Sequence, residues 1–265
     1  MKTIKIDLDR ECILYNVVPI ADLHIGDAQF NEKDFKKMLE TSDGDNTLYL
    51  LNGDLINNAT KSSVSDIYSS TMSPMKQLEM LVEIFAPYKD KIIGIIGGNH
   101  ERRTYKEDGI DISKLFAREL GLEDRYAEDG ALIFLRFGTQ SRGQKETNGS
   151  GKTRMVCYTI YATHGSGGGR SVGGKANALE QLSSIVDADI YIHSHTHLPI
   201  VFKQNFFRTD VRNSTVKEVE KLFVNTSACL NYGGYGEIAK YTPASRTITA
   251  IVLDGQQKKF SGVLM

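Results

Sequence analysis

The chain has 265 residues, of which 40% are hydrophobic and 25% are charged, and its formal net charge is −1. These values are ordinary for a soluble globular protein, and the length suits one large domain, which we expect to cover residues 1–265. The charge balance provides no global basic field for nucleic acid, and no window approaches the ~18 consecutive apolar residues of a membrane span.

The first segment and the cysteines predict the compartment. Residues 1–7 alternate in polarity like a strand and do not have the pattern of a signal peptide. Three widely spaced cysteines, none of them in a CxxC motif, lie in apolar contexts: Cys12, Cys157 and Cys229. Such cysteines indicate core thiols in a reduced environment, so we expect a cytoplasmic protein.

The first motif with chemical potential follows a predicted strand at residues 15–21. Asp22 and His24 come directly after it, and residues two apart in an extended segment point to the same side. We therefore expect the carboxylate and the imidazole to reach a common point. Taken alone, an Asp-x-His sequence is more often a strand end beside a surface histidine.

The second motif follows a second buried strand, predicted at residues 47–51, after a helix at residues 32–40 with Asn31 as its N-cap. The strand leads into Gly53 and Asp54, where the glycine permits a sharp turn and the carboxylate projects from the strand end. A Gly-Asp pair alone usually marks only a turn.

The next segment predicts a surface loop and then a helix. Residues 57–71 are rich in Ser, Thr and Asn, which favours a loop. Ser73 and Pro74 predict a helix start, with Ser73 as the N-cap. A buried stripe at helical spacing is predicted to consist of Met75, Leu78, Leu81, Val82 and Phe85.

The third motif follows an apolar run at residues 92–96, which predicts a buried strand ending in two glycines. Asn99 and His100 lie at the strand end, where open α/β sheets place their chemistry. An amide oxygen and an imidazole there can bind a metal and move a proton. Arg102 and Arg103 follow; they are either a bidentate grip for phosphate oxygens or a solvated basic turn.

The middle of the chain predicts a hairpin with a basic tip. A short helix at residues 113–120 precedes strands at residues 131–137 and 155–163, and a polar, glycine-rich segment at residues 139–152 joins the two strands. Its basic residues offer a contact to a nucleic-acid backbone, although a solvated loop is the favoured interpretation. The basic residues of the segment are Arg142, Lys145 and Lys152, and Arg154 lies just after it.

The last motifs follow two more predicted strands. His164 ends the strand at residues 155–163 and opens a glycine-rich loop, which lacks the GxxxxGK[ST] spacing of a P-loop, and a helix is predicted at residues 175–186. A strand at residues 190–192 leads into three alternating histidines, which share one side if the segment stays extended. We expect His195 and His197 to bind metal and His193 to have a supporting or structural role. The remaining predictions are strands at residues 222–225 and 246–253 and a cleft-lining segment at residues 229–236.

These motifs form an ordered set at the ends of five predicted strands. The set Asp-x-His, Gly-Asp, Gly-Asn-His-Glu, His and His-x-His resembles the calcineurin-like metallophosphoesterase superfamily, and the resemblance spans residues 22–197. The last motif of that family is usually Gly-His-x-His, whereas Ser194 replaces the glycine in this chain. Because serine is small, we expect only a minor effect on the backbone.

The resemblance implies a fold and a metal site. The fold is α/β, the metallophosphoesterase-type four-layer α-β-β-α sandwich, with two mixed β-sheets flanked by helices. Two divalent ions are implied, with seven ligands: Asp22, His24 and His197 for one ion, Asn99, His164 and His195 for the other, and Asp54 as a bridge between them. The implied reaction is attack on phosphorus by a metal-bridging hydroxide, with Asp54 and His100 as catalytic residues and His100 assisting the leaving group.

The ligand chemistry agrees with this implication. Imidazole and oxygen ligands without thiolates fit Mn, Fe or Zn better than copper or an iron–sulfur centre, and we choose Mn. Two divalent ions, two carboxylates and one hydroxide leave about one positive charge, which suits an anionic phosphate.

Three substrate classes and one inactive alternative remain open at this point. We expect hydrolysis of a phosphate ester, with a phosphodiester favoured and Arg102 and Arg103 as substrate-binding residues. A DNA exonuclease of the same superfamily, which would bind nucleic acid, and a protein or small-molecule phosphatase are the alternatives. A catalytically inactive interaction module is less favoured, because every ligand position is filled. No membrane partner is expected, and the oligomeric state is left open.

Overall fold

The computed structural model describes residues 1–8, 13–61, 63, 67–138, 155–167, 169–243 and 245–265. Its strands are β1 (Lys2–Leu8), β2 (Leu14–Ile20), β3 (Thr47–Asn52), β4 (Ile92–Ile96), β5 (Tyr126–Ala127), β6 (Gly130–Phe137), β7 (Val156–Thr163), β8 (Ile190–His193), β9 (Ile200–Asp210), β10 (Thr215–Asn225), β11 (Thr249–Asp254) and β12 (Phe260–Leu264). Its α-helices are α1 (Glu32–Ser42), α2 (Pro74–Phe85), α3 (Arg102–Asp108), α4 (Ile112–Glu119), α5 (Val172–Glu180) and α6 (Gly234–Ile238). Cys12 and the predicted basic tip at residues 139–152, with Arg154, lie outside the described residues.

The strands form two mixed six-stranded sheets. The first sheet has the order β1-β6-β7-β8-β10-β9, and the second has the order β12-β11-β2-β3-β4-β5. In the second sheet, β2, β3, β4 and β5 run parallel, so their carboxyl ends meet at one edge. In the first sheet, β7, β8 and β10 are also parallel neighbours. The predicted α/β architecture of two mixed sheets is therefore confirmed.

Three apolar clusters define the four layers. The cluster between the sheets joins residues of both, such as Leu50 and Ile93 of the second sheet with Ile133 and Ile190 of the first. The outer face of the second sheet packs against α1, α2 and α4. The outer face of the first sheet packs against α5 and the turn that follows it. Helices therefore cover both outer faces of the paired sheets.

The alternation of side chains along β3 shows why its sequence is a continuous apolar run. Leu50 points into the cluster between the sheets, whereas Tyr49 and Leu51 point into the cluster under the helices. All three side chains are fully buried. A strand covered on both faces needs apolar residues at every position, which is typical of parallel sheets inside α/β proteins.

Two helix predictions met different outcomes. Asn31 caps α1 as predicted, because its side-chain oxygen accepts a hydrogen bond from the Asp34 amide at 3.1 Å. Ser73 precedes α2, but its side chain makes no capping hydrogen bond. The predicted buried stripe of α2 is wrong at Met75, which is 61% exposed, while Gln77 is fully buried. The buried face of α2 therefore includes the polar Gln77 in place of Met75, which the apolar periodicity did not predict.

The prediction of a surface loop over residues 57–71 is wrong at its beginning. Asn57, Asn58, Ala59 and Thr60 are all buried. They lie beside the third motif, and the Asn58 amide group donates hydrogen bonds to the His100 carbonyl at 2.7 Å and to the Thr104 hydroxyl at 3.1 Å. The polar sequence therefore reflects buried hydrogen bonding rather than exposure to solvent.

The largest omission of the sequence analysis is a long hairpin formed by β9 and β10. The two strands pair antiparallel over eleven residues each, whereas only residues 222–225 were predicted as a strand. The distal part of the hairpin is mostly exposed, so its pattern lacks a buried face. The helix predicted at residues 175–186 begins earlier, at Val172, and continues after Glu180 as a 3₁₀ turn over Gln181–Ser184.

None of the helices in the described part of the chain has the length and apolar character that crossing a bilayer requires.

Gln77 generates the first prediction. Its side-chain oxygen accepts a hydrogen bond from the backbone amide of Asn58 at 2.8 Å, and its side-chain nitrogen donates to the Met72 carbonyl at 2.9 Å. Gln77→Ala should lower the free energy of unfolding by about 1–3 kcal/mol, because buried backbone groups lose their partners. Urea denaturation measures this loss, with the exposed neighbour substitution Lys76→Ala as the matched control. Equal unfolding free energies for the two variants would show that Gln77 does not hold this segment.

Candidate metal centre

The candidate ligands meet at the edge where the carboxyl ends of the parallel strands lie. Asp22 and His24 follow β2, Asp54 follows β3, and Asn99 follows β4. His164 follows β7, and His195 and His197 follow β8. The site therefore lies on the seam between the two sheets, with carboxylates and an amide from the second sheet and most of the imidazoles from the first.

The side chains of all seven predicted ligands converge there. Three groups, each with ligand atoms within 4.8 Å of one another, share members: Asp22, His24 and His197; His24, Asp54 and His100; and Asp54, His164 and His195. Asn99 joins the last group, because its Oδ1 lies 3.2 Å from Nε2 of His164. This connected set offers enough ligand atoms for more than one ion.

The backbone reaches this geometry in an unexpected way. Extended segments were expected here, but positive φ angles between 49° and 66° occur at five candidate ligands: Asp22, His24, Asp54, His195 and His197. Only eight non-glycine residues in the described ranges have such angles, so five of the eight are candidate ligands. The assumption of extended segments is therefore wrong. Left-handed conformations outside glycine cost about 1–3 kcal/mol each and are typical of functional sites.

A buried glutamate holds two of the motifs together. One oxygen of Glu101 accepts hydrogen bonds from the amides of Leu55 at 2.7 Å and Ile56 at 3.1 Å. The other oxygen accepts from the amides of Asp54 and Gly98, both at 3.1 Å. Burial raises the pKa of Glu101 to about 7, and the amide donors oppose that shift. The sequence analysis gave Glu101 no role, although its place beside Asn99 and His100 was a signal.

Gly98 is required by the same contact. A Cβ atom at this position would lie 2.1 Å from the Asp54 nitrogen and 2.5 Å from Oε2 of Glu101. No side chain fits so close to another backbone, so the turn after β4 must carry glycine.

Backbone carbonyls orient two of the imidazoles. Nδ1 of His164 lies 2.7 Å from the Asn52 carbonyl, so it carries a proton and directs Nε2 toward Oδ2 of Asp54, 3.1 Å away. His100 contacts the Asn57 carbonyl through Nδ1 at 2.8 Å and an Arg103 nitrogen through Nε2 at 2.9 Å. Because a guanidinium only donates, Nε2 of His100 must accept and Nδ1 must hold the proton.

The carboxylates and imidazoles shift one another's protonation. Burial alone would raise the pKa of Asp54, but the imidazoles of His164 and His100 outweigh it and hold the pKa well below its usual value. Burial lowers the pKa of His24 well below its usual value. Burial also acts to lower the pKa of His164, but the carboxylates of Asp54 and Asp22 raise it to about 10. The two buried carboxylates are therefore stabilised by positive charge placed near them.

The donor set fits divalent cations. Oδ1 of Asp22 is buried and accepts no hydrogen bond from any described residue, while imidazole nitrogens of His197, His24 and His164 face it at 3.3, 3.9 and 3.9 Å. In the described part of the chain, neither Asp22 nor Asp54 forms an ion pair with lysine or arginine. An unsatisfied carboxylate oxygen among imidazole nitrogens is an arrangement that a bound cation would complete.

The other predicted residues lie around this set. Arg102 forms ion pairs with Glu128 at 2.6 Å and Asp129 at 2.8 Å, whereas Arg103 contacts His100 and forms no carboxylate pair with any described residue. His193 is buried and its Nδ1 lies 2.7 Å from Oδ1 of Asn225, outside the three ligand groups.

Two further residues that the sequence analysis did not consider support the last motif. Lys175 donates to the Thr196 carbonyl at 2.8 Å, between the two candidate ligand histidines. Asn225 donates to the Thr196 hydroxyl at 2.9 Å and to the Leu198 carbonyl at 2.6 Å. The segment at residues 229–236 lies along the first motif, since the Cys229 amide donates to the Asp22 carbonyl at 3.3 Å.

Comparisons with known proteins agree with the motifs. A family model described as calcineurin-like phosphoesterase matches residues 16–199, which is more than half of the chain. No curated protein matches the chain.

Solved structures that align with most of this chain have low sequence identity to it. Vacuolar protein sorting 29 from Cryptosporidium parvum is 17% identical, with 96% of this chain and 98% of that chain covered and a TM-score of 0.44. A predicted phosphoesterase from Streptococcus pneumoniae TIGR4 is 11% identical over 96% and 99% of the two chains, with a TM-score of 0.36. A metallophosphoesterase from Sphaerobacter thermophilus is 12% identical over 94% and 88%, with a TM-score of 0.37. Likenesses of this size say nothing about the activity of this chain.

Glu101 generates the second prediction. Glu101→Gln replaces one acceptor oxygen with a donor that faces backbone amides, so the free energy of unfolding should fall by about 1–3 kcal/mol. The turns that carry Asp54 and Asn99 should loosen together, which should also lower the Mn²⁺ content measured by mass spectrometry. Glu119→Gln, at the exposed end of α4, is the matched control. Unchanged stability and metal content in Glu101→Gln would rule out this anchoring role.

Proposed function

Since this chain belongs to the calcineurin-like phosphoesterase family, whose members hydrolyse phosphate esters with divalent metals, we propose that it is a phosphodiesterase that uses two such ions, with Mn²⁺ preferred. The observation that carries the proposal is the convergence of seven ligand side chains at the seam, with Oδ1 of Asp22 buried among imidazole nitrogens. The filled ligand set also argues against an inactive interaction module on the same fold.

The chain's residues would share the work of holding the ions. We assign Asp22, His24 and His197 to one ion and Asn99, His164 and His195 to the other, with Asp54 between them. When bound, paired divalent ions neutralise phosphate charge and lower the pKa of water enough to make it a nucleophile at neutral pH. The carbonyl of Asn52 fixes His164 with Nε2 toward the site, which prepares that nitrogen as a ligand.

His100 and Arg103 would act on the substrate. The Nε2 atom of His100 accepts from Arg103 and lies 3.8 Å from Oδ2 of Asp54. An entering phosphate would draw the guanidinium toward its own oxygens, because charge-assisted bonds to phosphate are stronger than a bond to a neutral imidazole. The Nε2 atom of His100 would then be able to take up a proton and donate it to the leaving-group oxygen.

The arginine assignment is narrower than the sequence alone suggested. Arg102 is engaged by Glu128 and Asp129, whereas Arg103 reaches His100. We therefore propose Arg103 as the principal substrate-binding arginine. The cytoplasmic location stays a prediction, with which the free thiols of Cys157 and Cys229 are consistent.

The third prediction tests the proposed function directly. Asp54→Asn keeps a side-chain oxygen for the His100 amide, which now donates to Oδ1 of Asp54 at 2.9 Å, but it removes the bridging charge. Turnover of bis-p-nitrophenyl phosphate in Mn²⁺ should be abolished while the circular dichroism spectrum stays native. Wild-type activity in this variant would refute the bridging role.

A substrate panel completes this test. The Mn²⁺-supplemented wild type is offered bis-p-nitrophenyl phosphate, p-nitrophenyl phosphate, single- and double-stranded DNA and cyclic nucleotides. We expect turnover of diesters over the monoester. Exclusive monoester turnover would overturn the diester proposal, preferred DNA cleavage would establish the nuclease alternative, and no turnover with two bound ions would favour the inactive module.

His100 generates the fourth prediction. His100→Ala should retain both ions but lose about 10²–10⁴-fold in kcat, the usual contribution of a general acid or base. Metal content by mass spectrometry and turnover of bis-p-nitrophenyl phosphate are measured on the same preparation. Because His100 also lies within 4.8 Å of His24 and Asp54 ligand atoms, loss of an ion in this variant would identify it as a ligand instead.

A further inference from the structure

The proposed ion pair depends on how the two sheets are fastened at their common edge. His164, His195 and His197 come from the first sheet, and the other four proposed ligands come from the second. Each proposed ion draws ligands from both sheets, so the distance between the first-sheet histidines and the second-sheet ligands is set by contacts that cross the seam, not by either sheet alone.

A buried hydrogen-bonded cluster crosses the seam directly behind the ligands. Asn52, the last residue of β3, donates through Nδ2 to the Ser194 hydroxyl at 2.7 Å and to the Thr163 carbonyl at 2.9 Å. The Thr226 hydroxyl also donates to the Ser194 hydroxyl, at 2.8 Å. Ser194 and Asn52 are fully buried and Thr226 is 2% exposed, so no solvent replaces these bonds.

Ser194 is well placed to pass this constraint to the ligands. It directly precedes His195, and its amide donates to the carbonyl of His164 at 3.0 Å. Its partner Asn52 holds Nδ1 of His164 through the backbone carbonyl. Two of the three ligand histidines of the first sheet are thus tied to β3 of the second sheet through Ser194 and Asn52.

The side chain of Ser194 is a feature of this chain. The related motif usually has glycine at this position, and a glycine offers no hydroxyl to Asn52 or Thr226. Ser194 is not among the residues with positive φ, so its side chain costs no left-handed strain. Only a minor backbone effect was expected here, whereas the hydroxyl accepts two buried hydrogen bonds: one from Asn52 across the seam and one from Thr226 within the first sheet.

We propose that the Ser194 hydroxyl is a positioning group that fixes the spacing of the two ion sites by bridging the sheets. The inference rests on the proposed function, because it assumes a pair of divalent ions. Without the hydroxyl, the His195 segment keeps the hydrogen bond from its amide to Oδ2 of Asp22 at 3.0 Å but loses its side-chain bond to β3. His195 can then shift relative to Asp54 and Asn99 of the second sheet. The ion assigned to Asn99, His164 and His195, called the second ion from here on, should then bind more weakly, and the two ions should couple less.

The test measures metal binding on the full chain without substrate. Mn²⁺ titration calorimetry gives both affinities, and low-temperature electron paramagnetic resonance reports exchange coupling within an Mn²⁺ pair. In Ser194→Ala we expect the second ion to bind about tenfold to a hundredfold more weakly, as the loss of buried hydrogen bonds predicts, with a weaker coupled signal. Unchanged affinities and an unchanged coupled signal in a folded Ser194→Ala protein overturn the proposal.

Two isosteric substitutions provide a matched pair. Thr226→Val removes one bond to Ser194 and should weaken the second ion in the same direction but by less. Thr249→Val makes the same change at a buried hydroxyl that has no hydrogen-bond partner among the residues the structure describes, and it should leave both ions unaffected. If Ser194→Ala does not fold, this pair decides: equal binding by the two valine variants overturns the proposal.

Stability separates positioning from a merely structural role. Urea unfolding of the metal-free variants is compared with their metal affinities. A loss of stability with unchanged affinity and coupling makes Ser194 structural only and overturns the inference. If the wild type binds no Mn²⁺ pair at all, the proposed function fails and this inference fails with it; if the wild type binds a coupled pair and the variants match it, only the inference fails.

Discussion

The Glu101 carboxylate is the contact on which the geometry of the site depends. It accepts four backbone amide hydrogen bonds, three from the turn after β3 and one from the turn after β4. A carboxylate with amides on both oxygens fixes the relative position of the two turns more tightly than apolar packing does, because hydrogen bonds are directional. Asp54 is held in a left-handed conformation by this contact, and Asn99 leaves the strand beside it. The conformational cost of the ligand turns is therefore offset by polar contacts immediately behind the ligands.

The same logic extends around the seam. Buried polar side chains there serve mainly to satisfy backbone groups of irregular segments: Asn52 at the Thr163 carbonyl, Asn58 at the His100 carbonyl, and Gln77 at the Asn58 amide. A buried backbone group without a partner costs about as much as a lost hydrogen bond, so a turn-rich site inside a protein needs such side chains. The apolar clusters end where this polar layer begins. Rigidity of the site is thus a property of its supporting hydrogen bonds as much as of the core.

The sequence predicted the strands and the convergence of ligands, but not how they converge. Continuous apolar runs such as residues 92–96 are unambiguous because both faces of the strand are covered. Asp22 and His24 were expected to meet by alternation along a strand, and they meet instead through left-handed backbone, which local sequence does not encode for non-glycine residues. Asn58 and Gln77 resemble surface residues in composition but are buried, and their decisive partners lie elsewhere in the chain: His100 for Asn58, and Asn58 for Gln77. The β9–β10 hairpin was missed for the opposite reason: its distal half lacks a buried face.

The charges at the site explain why such a structure suits cations rather than a neutral ligand. Two buried carboxylates, Asp22 and Asp54, face imidazoles and, among the described residues, form no ion pair with lysine or arginine. A permanent ammonium or guanidinium there would neutralise the carboxylates and exclude divalent ions. Imidazoles, in contrast, can exchange their proton for a bound cation and become ligands, so the same groups serve both states. Arg103 contacts His100 rather than a carboxylate ligand. Its charge can therefore act on an anionic substrate without competing with the metal ions for the carboxylates. The carboxylates and imidazoles therefore lie where the metal ions would bind, and the guanidinium lies beside them, where the phosphate would bind.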